Sequence, residues 1–207
     1  MAAELEQGLA QLWLQARDGT LPVLPGRTCG ACVTCCVNTS IDTPQIQKLS
    51  GARCRNLCDG GCAIHASRPP VCRDFFCAWR QLPFLDEDWR PDRSGVMLKL
   101  FVTDGVTGLS LLLTGDPQRT VRRPWFIAFV MAAFRTGVPI WLAIDGPRGH
   151  DGAQRLLNSQ EMAAALASSK GAQARVRDEL QRVLAQLQGF AFQPGVFAHR
   201  GQDVSMP

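Results

Sequence analysis

The sequence predicts an α+β fold, with a loop-rich, metal-stapled cysteine module packed on a small mixed β-sheet with flanking helices. Three observations carry that expectation. All nine cysteines lie between Cys29 and Cys77, in a stretch poor in apolar residues. Residues 95–146 read in the order strand, strand, helix, strand. Helical stripes of apolar residues stand at both ends of the chain.

Residues Ala2–Arg17 read as an amphipathic helix, with Leu5, Leu9, Leu12 and Trp13 on one face. Glu4 and Glu6 near its start and Arg17 near its end suit the helix dipole, and Gly19 can stop it. Thr20–Gly26 reads as an extended linker, because Pro22 and Pro25 donate no backbone hydrogen bond. Within the cysteine region, Asp42–Gly51 reads as a short helix, capped by Asp42 or Thr43 with Pro44 in its first turn.

Gly95–Asp116 reads as two strands joined by a glycine-containing loop. Arg123–Gly137 reads as a buried helix, with Pro124 near its start and Gly137 at its end. Val138–Gly146 reads as a third strand. Asn158 and Glu161 offer a capping box to an alanine-rich helix interrupted near Gly171. Val176, Leu180, Val183, Leu184 and Leu187 then form a helical stripe, and the tail from Gly189 has no period and is expected on the surface. The expected division is an N-terminal helix and linker (1–28), a cysteine module (29–80) and an α/β portion (81–207) packed with it as one unit.

Hydrophobic residues make up 46% and charged residues 19%, which suits a globular core. The formal charge of +4 is too small to argue by itself for nucleic acid, which is not an expected partner. The first residues lack the basic segment and apolar run of a signal peptide. The most apolar stretch, Trp125–Phe134, stops at Arg135 and is too short to cross a bilayer. The expected place is therefore the cytoplasm, with no membrane partner.

That compartment constrains the chemistry of "CGACVTCC" (Cys29–Cys36), for which the choices are disulfides, a metal site or redox chemistry. Disulfides are disfavoured in a reducing cytosol, and nine cysteines cannot all pair. Metal binding leads. Cys29-x2-Cys32-x2-Cys35 has a spacing at which successive thiolates can wrap one centre, and thiolates select zinc or iron–sulfur. Adjacent Cys35 and Cys36 diverge, so they suggest two ions, a bridged cluster, or one non-ligand. A metal would also hold these loops in shape. Arg53, Arg55, Arg68, Arg73 and Arg80 outnumber Asp59 and Asp74 in residues 51–80 and would balance the charge of such a centre.

With "CAIHASRPPVCRDFFC" (Cys62–Cys77) added, the pattern resembles the bacterial CxxCxxCC family, the YkgJ-like zinc- or iron-chelating domain. Cys62, Ile64, Arg68, Pro69, Cys72, Arg73, Phe75 and Cys77 carry the second block, and Cys54 with Leu57 stands between the two blocks. The resemblance covers residues 29–77. It implies a metal site made of Cys29, Cys32, Cys35, Cys36, Cys54, Cys62, Cys72 and Cys77. Cys58 is then supernumerary. His65 stands where relatives usually carry tyrosine, so its expected role is to fill an aromatic slot rather than to ligate.

The resemblance implies metal chelation, and eight thiolates could hold two zinc ions or an iron–sulfur cluster as cofactor, with a metal ion and an unidentified protein or substrate as partners. Three roles follow: a structural metal centre beside a partner-binding sheet, an iron–sulfur enzyme or redox protein related to cysteine-cluster methylases, or a metal carrier or sensor. Outside the cysteines, "DGPRGHDG" (Asp145–Gly152) reads as a loop connecting the third strand to a short helix. Asp145, Arg148, His150 and Asp151 would supply the polar groups of any pocket there. Trp79, Phe84 and Trp89 are expected to clamp the cysteine module to the sheet.

Overall fold

A computed structural model describes residues 2–16, 21–59, 61–103, 106–167 and 171–197. Arg17, Gly19 and Thr20 at the end of the first helix, the 104–105 junction of the first two long strands, and His199 with the end of the tail lie outside the described residues. In chain order come α1 (Ala2–Ala16), α2 (Thr34–Asn38), β1 (Ile41–Thr43), β2 (Ile46–Lys48), β3 (Leu57–Cys58) and β4 (Gly61–Cys62). Then follow α3 (Pro70–Arg73), α4 (Pro91–Ser94), β5 (Val96–Thr103), β6 (Val106–Leu113), α5 (Pro117–Thr120) and α6 (Pro124–Arg135). The last elements are β7 (Ile140–Ile144), β8 (Ala153–Leu156), α7 (Gln160–Ala167) and α8 (Ala172–Gln188).

The main sheet runs β5-β6-β7-β8, with β6 and β7 parallel and the two outer pairs antiparallel. A parallel pair needs a crossover, and α5 and α6 supply it between β6 and β7. This is an α+β fold with a small mixed sheet and flanking helices.

Strand alternation gives the sheet two unlike faces. Val96, Leu98, Leu109, Leu111, Leu113, Ile140, Leu142 and Ile144 point one way, into the main core. Phe126, Phe129 and Val130 of α6 meet them there, with Val176, Leu180, Val183, Leu184 and Leu187 of α8. The stripe read from the sequence is thus the buried side of α8. Met97, Leu112 and Ala143 point the other way and form a small cluster with Cys35, Phe75 and Cys77. The layers are helices, sheet and cysteine loops, in that order.

Trp79 and Trp89 belong to the helix side of this arrangement. Both are buried in the main core, where Trp89 meets Trp125 and Phe129 at ring centroid distances of 4.6 and 4.7 Å. Phe84 lies against Gly8 of α1. These aromatics anchor the 79–89 strap rather than clamp cysteines to the sheet. Arg27 ties down the same strap. Its guanidinium donates to Leu82 O at 2.8 Å and to Trp79 O and Leu85 O, and lies over the Trp79 ring.

Local expectations fail at three places. Residues 42–51 form the β1–β2 hairpin, not a helix. Burial alternates there, with Ile46, Lys48, Ser50, Ala52 and Cys54 inside, which is the period of an extended chain. Asn158 does not cap α7. Its side chain accepts from Ile140 N at 2.8 Å and donates to Val138 O, pinning the start of β7, while the Ser159 hydroxyl faces Met162 N at 3.3 Å as the cap. The segment after "DGPRGHDG" is the edge strand β8, not a helix. Among the described residues, no helix is long and apolar enough to cross a membrane.

The metal-stapled module is corrected as well. Among the described residues, no group of three or more Cys, His, Asp or Glu side chains is placed to hold a metal ion. Protein contacts staple the loops instead. The buried Lys48 ammonium donates to Val37 O at 2.9 Å, to Leu49 O at 3.3 Å and to Thr39 O. Ser50 Oγ lies 2.7 Å from Asn38 O and donates to Asp145 Oδ1 at 2.8 Å. Cys54 N donates to Cys36 O at 3.0 Å, and Gly149 N to Ser50 O at 3.2 Å. Gly51, at φ +71°, lets the backbone pass the Arg148 Cα, where a side chain would be strained.

Candidate functional site: a thiol-lined cavity

A cavity of about 420 Å³ lies between the cysteine loops and the second face of the sheet. Cys29, Cys32, Cys35, Cys36, Cys54, Cys62 and Cys72 line it from the loop side. They come from several separate local elements. Cys29 and Cys32 flank a turn closed by Cys32 N donating to Cys29 O at 2.9 Å. Cys35 and Cys36 sit in α2, Cys62 in β4 and Cys72 in α3. Lys99, Leu112, Ala143, Asp145 and Gln154 form the sheet wall.

The two remaining cysteines stand apart. Cys77 packs behind the wall, in the cluster with Met97, Leu112 and Ala143. Cys58 is exposed at the β3–β4 hairpin, its thiol donating to Gly61 O at 3.2 Å. All nine cysteines are free thiols. The thiols therefore share one cavity but do not converge on an ion, which corrects the expected ligand geometry. The physical reason is placement: the thiols are spread over turns, short helices and a hairpin held by their own hydrogen bonds.

Electrostatics separates the adjacent pair. Cys36 is lowered to about 6, first by the hydrogen bond from Cys35 and then by the Lys48 ammonium, against the cost of burial. Cys35 is correspondingly raised, because it holds the shared proton and is buried among thiols. Burial pushes Cys77 up to about 11, and burial with neighbouring thiols raises Cys72. The pair thus presents one thiolate and one thiol near neutrality.

His65 is exposed at the cavity mouth, and its Nε2 lies 3.0 Å from Arg68 Nη1. A guanidinium only donates, so the imidazole accepts there. Arg68 also donates to His65 O at 2.8 Å and to Cys72 O at 3.3 Å, bracing the turn that leads to α3.

The 145–152 loop contributes more than a connection. Asp145, Asp151 and Gly152 line the cavity, and Asp145 is the acceptor of Ser50. Arg148 lies beside Gly51, and His150 is bridged to Pro194 of the tail. Sequence reasoning missed Lys48, Lys99 and Ser50. Lys48 has no sequence signal, because the alternating burial of Ile46, Lys48 and Ser50 belongs to the folded chain. Lys99 carries no local signal, because only the strand register turns it toward the cysteines.

Comparison with protein-family models, with curated proteins and with solved structures returns no match for this chain. The resemblance to the YkgJ-like CxxCxxCC family is therefore corrected on both counts: no family model matches, and no metal-holding group is present among the described residues. The zinc and iron–sulfur cofactors, the metal ion as partner, and the structural, enzymatic and carrier roles built on a metal fall with it.

Proposed function

We propose that Cys29, Cys32, Cys35, Cys36, Cys54, Cys62 and Cys72 form a single thiol site, backed by Cys77. The chain is then a small-molecule-binding protein that undergoes thiol–disulfide exchange with its ligand. The observation that carries this is the cavity itself: seven free thiols line one space large enough for a small ligand. Of the chemistries open to so much thiol, redox exchange needs neither convergence on an ion nor a preformed disulfide.

The step balances. The Cys36 thiolate attacks one sulfur of a small disulfide, whose S–S bond breaks as the new Cys36–sulfur bond forms. The departing half leaves as a thiolate and takes a proton from Cys35 or water. A second cavity thiol then attacks Cys36 Sγ, leaving a protein disulfide and releasing the other half as thiol. Two electrons pass from the protein to the ligand. Cys77 supports the wall behind Cys35. The reading places the chain in the cytoplasm, where exposed thiols stay reduced, and takes residues 29–80 as the module that carries the site against the 81–207 portion.

The test is exchange of the reduced, folded chain with bis-hydroxyethyl disulfide, followed by mass spectrometry of the adducts. The expected result is a protein disulfide that includes Cys36, reached through a transient Cys36 adduct, formed faster than in the urea-unfolded chain and absent in Cys36→Ser. Adducts spread over all cysteines as in the unfolded chain would overturn the reading. So would a stoichiometric metal ion retained by freshly purified protein and blocking exchange.

A further inference from the structure

The sheet wall of the cavity holds charges that the thiol chemistry does not use. Lys99 is on β5, directly across from Ser110 of β6, on the face that looks toward the cysteine loops. Its ammonium is half-buried and, among the described residues, has neither a hydrogen bond nor an ion pair. The nearby Lys48 is different, since its three donors are all taken by carbonyls. The remaining cationic groups on the wall are committed too: Arg68 to His65 and Cys72, and Arg80 to Arg27 O and the Phe76 ring. Asp145 lies close enough to attract Lys99 but spends one oxygen on Ser50. The Ser110 hydroxyl beside Lys99 is buried and unpartnered as well. A partly desolvated ammonium with no anion in direct contact is costly, so a ligand that brings one gains the difference.

We propose that Lys99 is the anion-recognising residue of this cavity, and that the ligand carries a carboxylate or similar anionic group toward the sheet while its reactive sulfur faces the cysteines. This rests on the thiol reading and names its substrate class: an anionic small disulfide. Lys99 binds, and Cys36 reacts.

The experiment compares exchange with dithiodipropionate, whose ends are carboxylates, and with neutral bis-hydroxyethyl disulfide. In the folded chain the ratio of the two rates should exceed that of the urea-unfolded chain by about tenfold, the scale of one charge pair in a partly shielded site. Lys99→Gln should bring the ratio back to the unfolded value, and Lys99→Arg should keep the preference. Equal ratios in the wild type and Lys99→Gln would overturn the role of Lys99 while leaving thiol exchange intact. Should neither reagent exchange, the thiol reading fails, and the melting temperature decides the anion site alone. A rise with dithiodipropionate that Lys99→Gln abolishes supports it, and no rise overturns it.

Discussion

Lys48 shows how a single side chain organises the cysteine loops. Its ammonium is buried and satisfies the carbonyls of Val37, Thr39 and Leu49, so it joins the end of α2 to the end of β2. Burial lowers its pKa, while the neighbouring Cys54, Cys36 and Asp145 favour the charged form. Lys48→Met keeps the bulk but leaves three carbonyls without their donor. The expected loss is about 2–4 kcal/mol, read as a lower urea midpoint. An unchanged midpoint would mean that the loops are held by something other than this clamp. Neither the charge nor the hydropathy of position 48 announces such a role; the alternating burial of Ile46, Lys48 and Ser50 exists only in the folded chain.

At the scale of elements, the approach of α1 to the 79–89 strap depends on Gly8. A Cβ there would overlap Phe84 Cδ1 and come within 2.5 Å of Phe84 Cγ, so the ring would have to move from its root. Alanine improves helix propensity by about 1 kcal/mol but overpacks by about 1–3 kcal/mol. Gly8→Ala should therefore lower stability, and in a Phe84→Leu background the same change should become neutral or stabilising; a penalty of equal size in both backgrounds would sever the link.

The elements themselves divide by how local their causes are. The apolar period of α8 and the run of α6 between Pro124 and Gly137 were legible, because α8 buries one side and α6 is buried nearly all round, against surroundings that accept any apolar surface. The β1–β2 hairpin and β8 were not. Pro44 and Asp42 suit a helix start as well as a turn, and β8 is an edge strand with most of its side chains exposed, so it lacks an apolar alternation.

For the whole molecule, the two faces of the sheet set unequal stabilities. One face shares the large core with α6 and α8; the other shares only the small cluster around Met97, Leu112 and Ala143 with the cysteine layer. Native-state hydrogen exchange should therefore find the amides of β6, β7 and α8 opening with global unfolding. Those of Cys32, Cys36 and Cys54 should open at least about tenfold more often. Equal protection in both layers would show them to be one cooperative unit. A softer cysteine layer also suits a cavity that must admit a ligand.

The sequence by itself determined the class of the fold, the helical ends, the central strand–strand–helix–strand run and the concentration of thiols in residues 29–77. These follow from periodicity and composition, which act over a few neighbours. Tertiary structure alone decided what the thiols face. Spacing such as Cys29-x2-Cys32 records separation along the chain, whereas a metal site requires convergence in space, and the hydrogen-bonded turns instead spread the thiols around a cavity. The same holds for Lys99, whose partners are set by strand register and by a loop layer contributed from elsewhere in the chain.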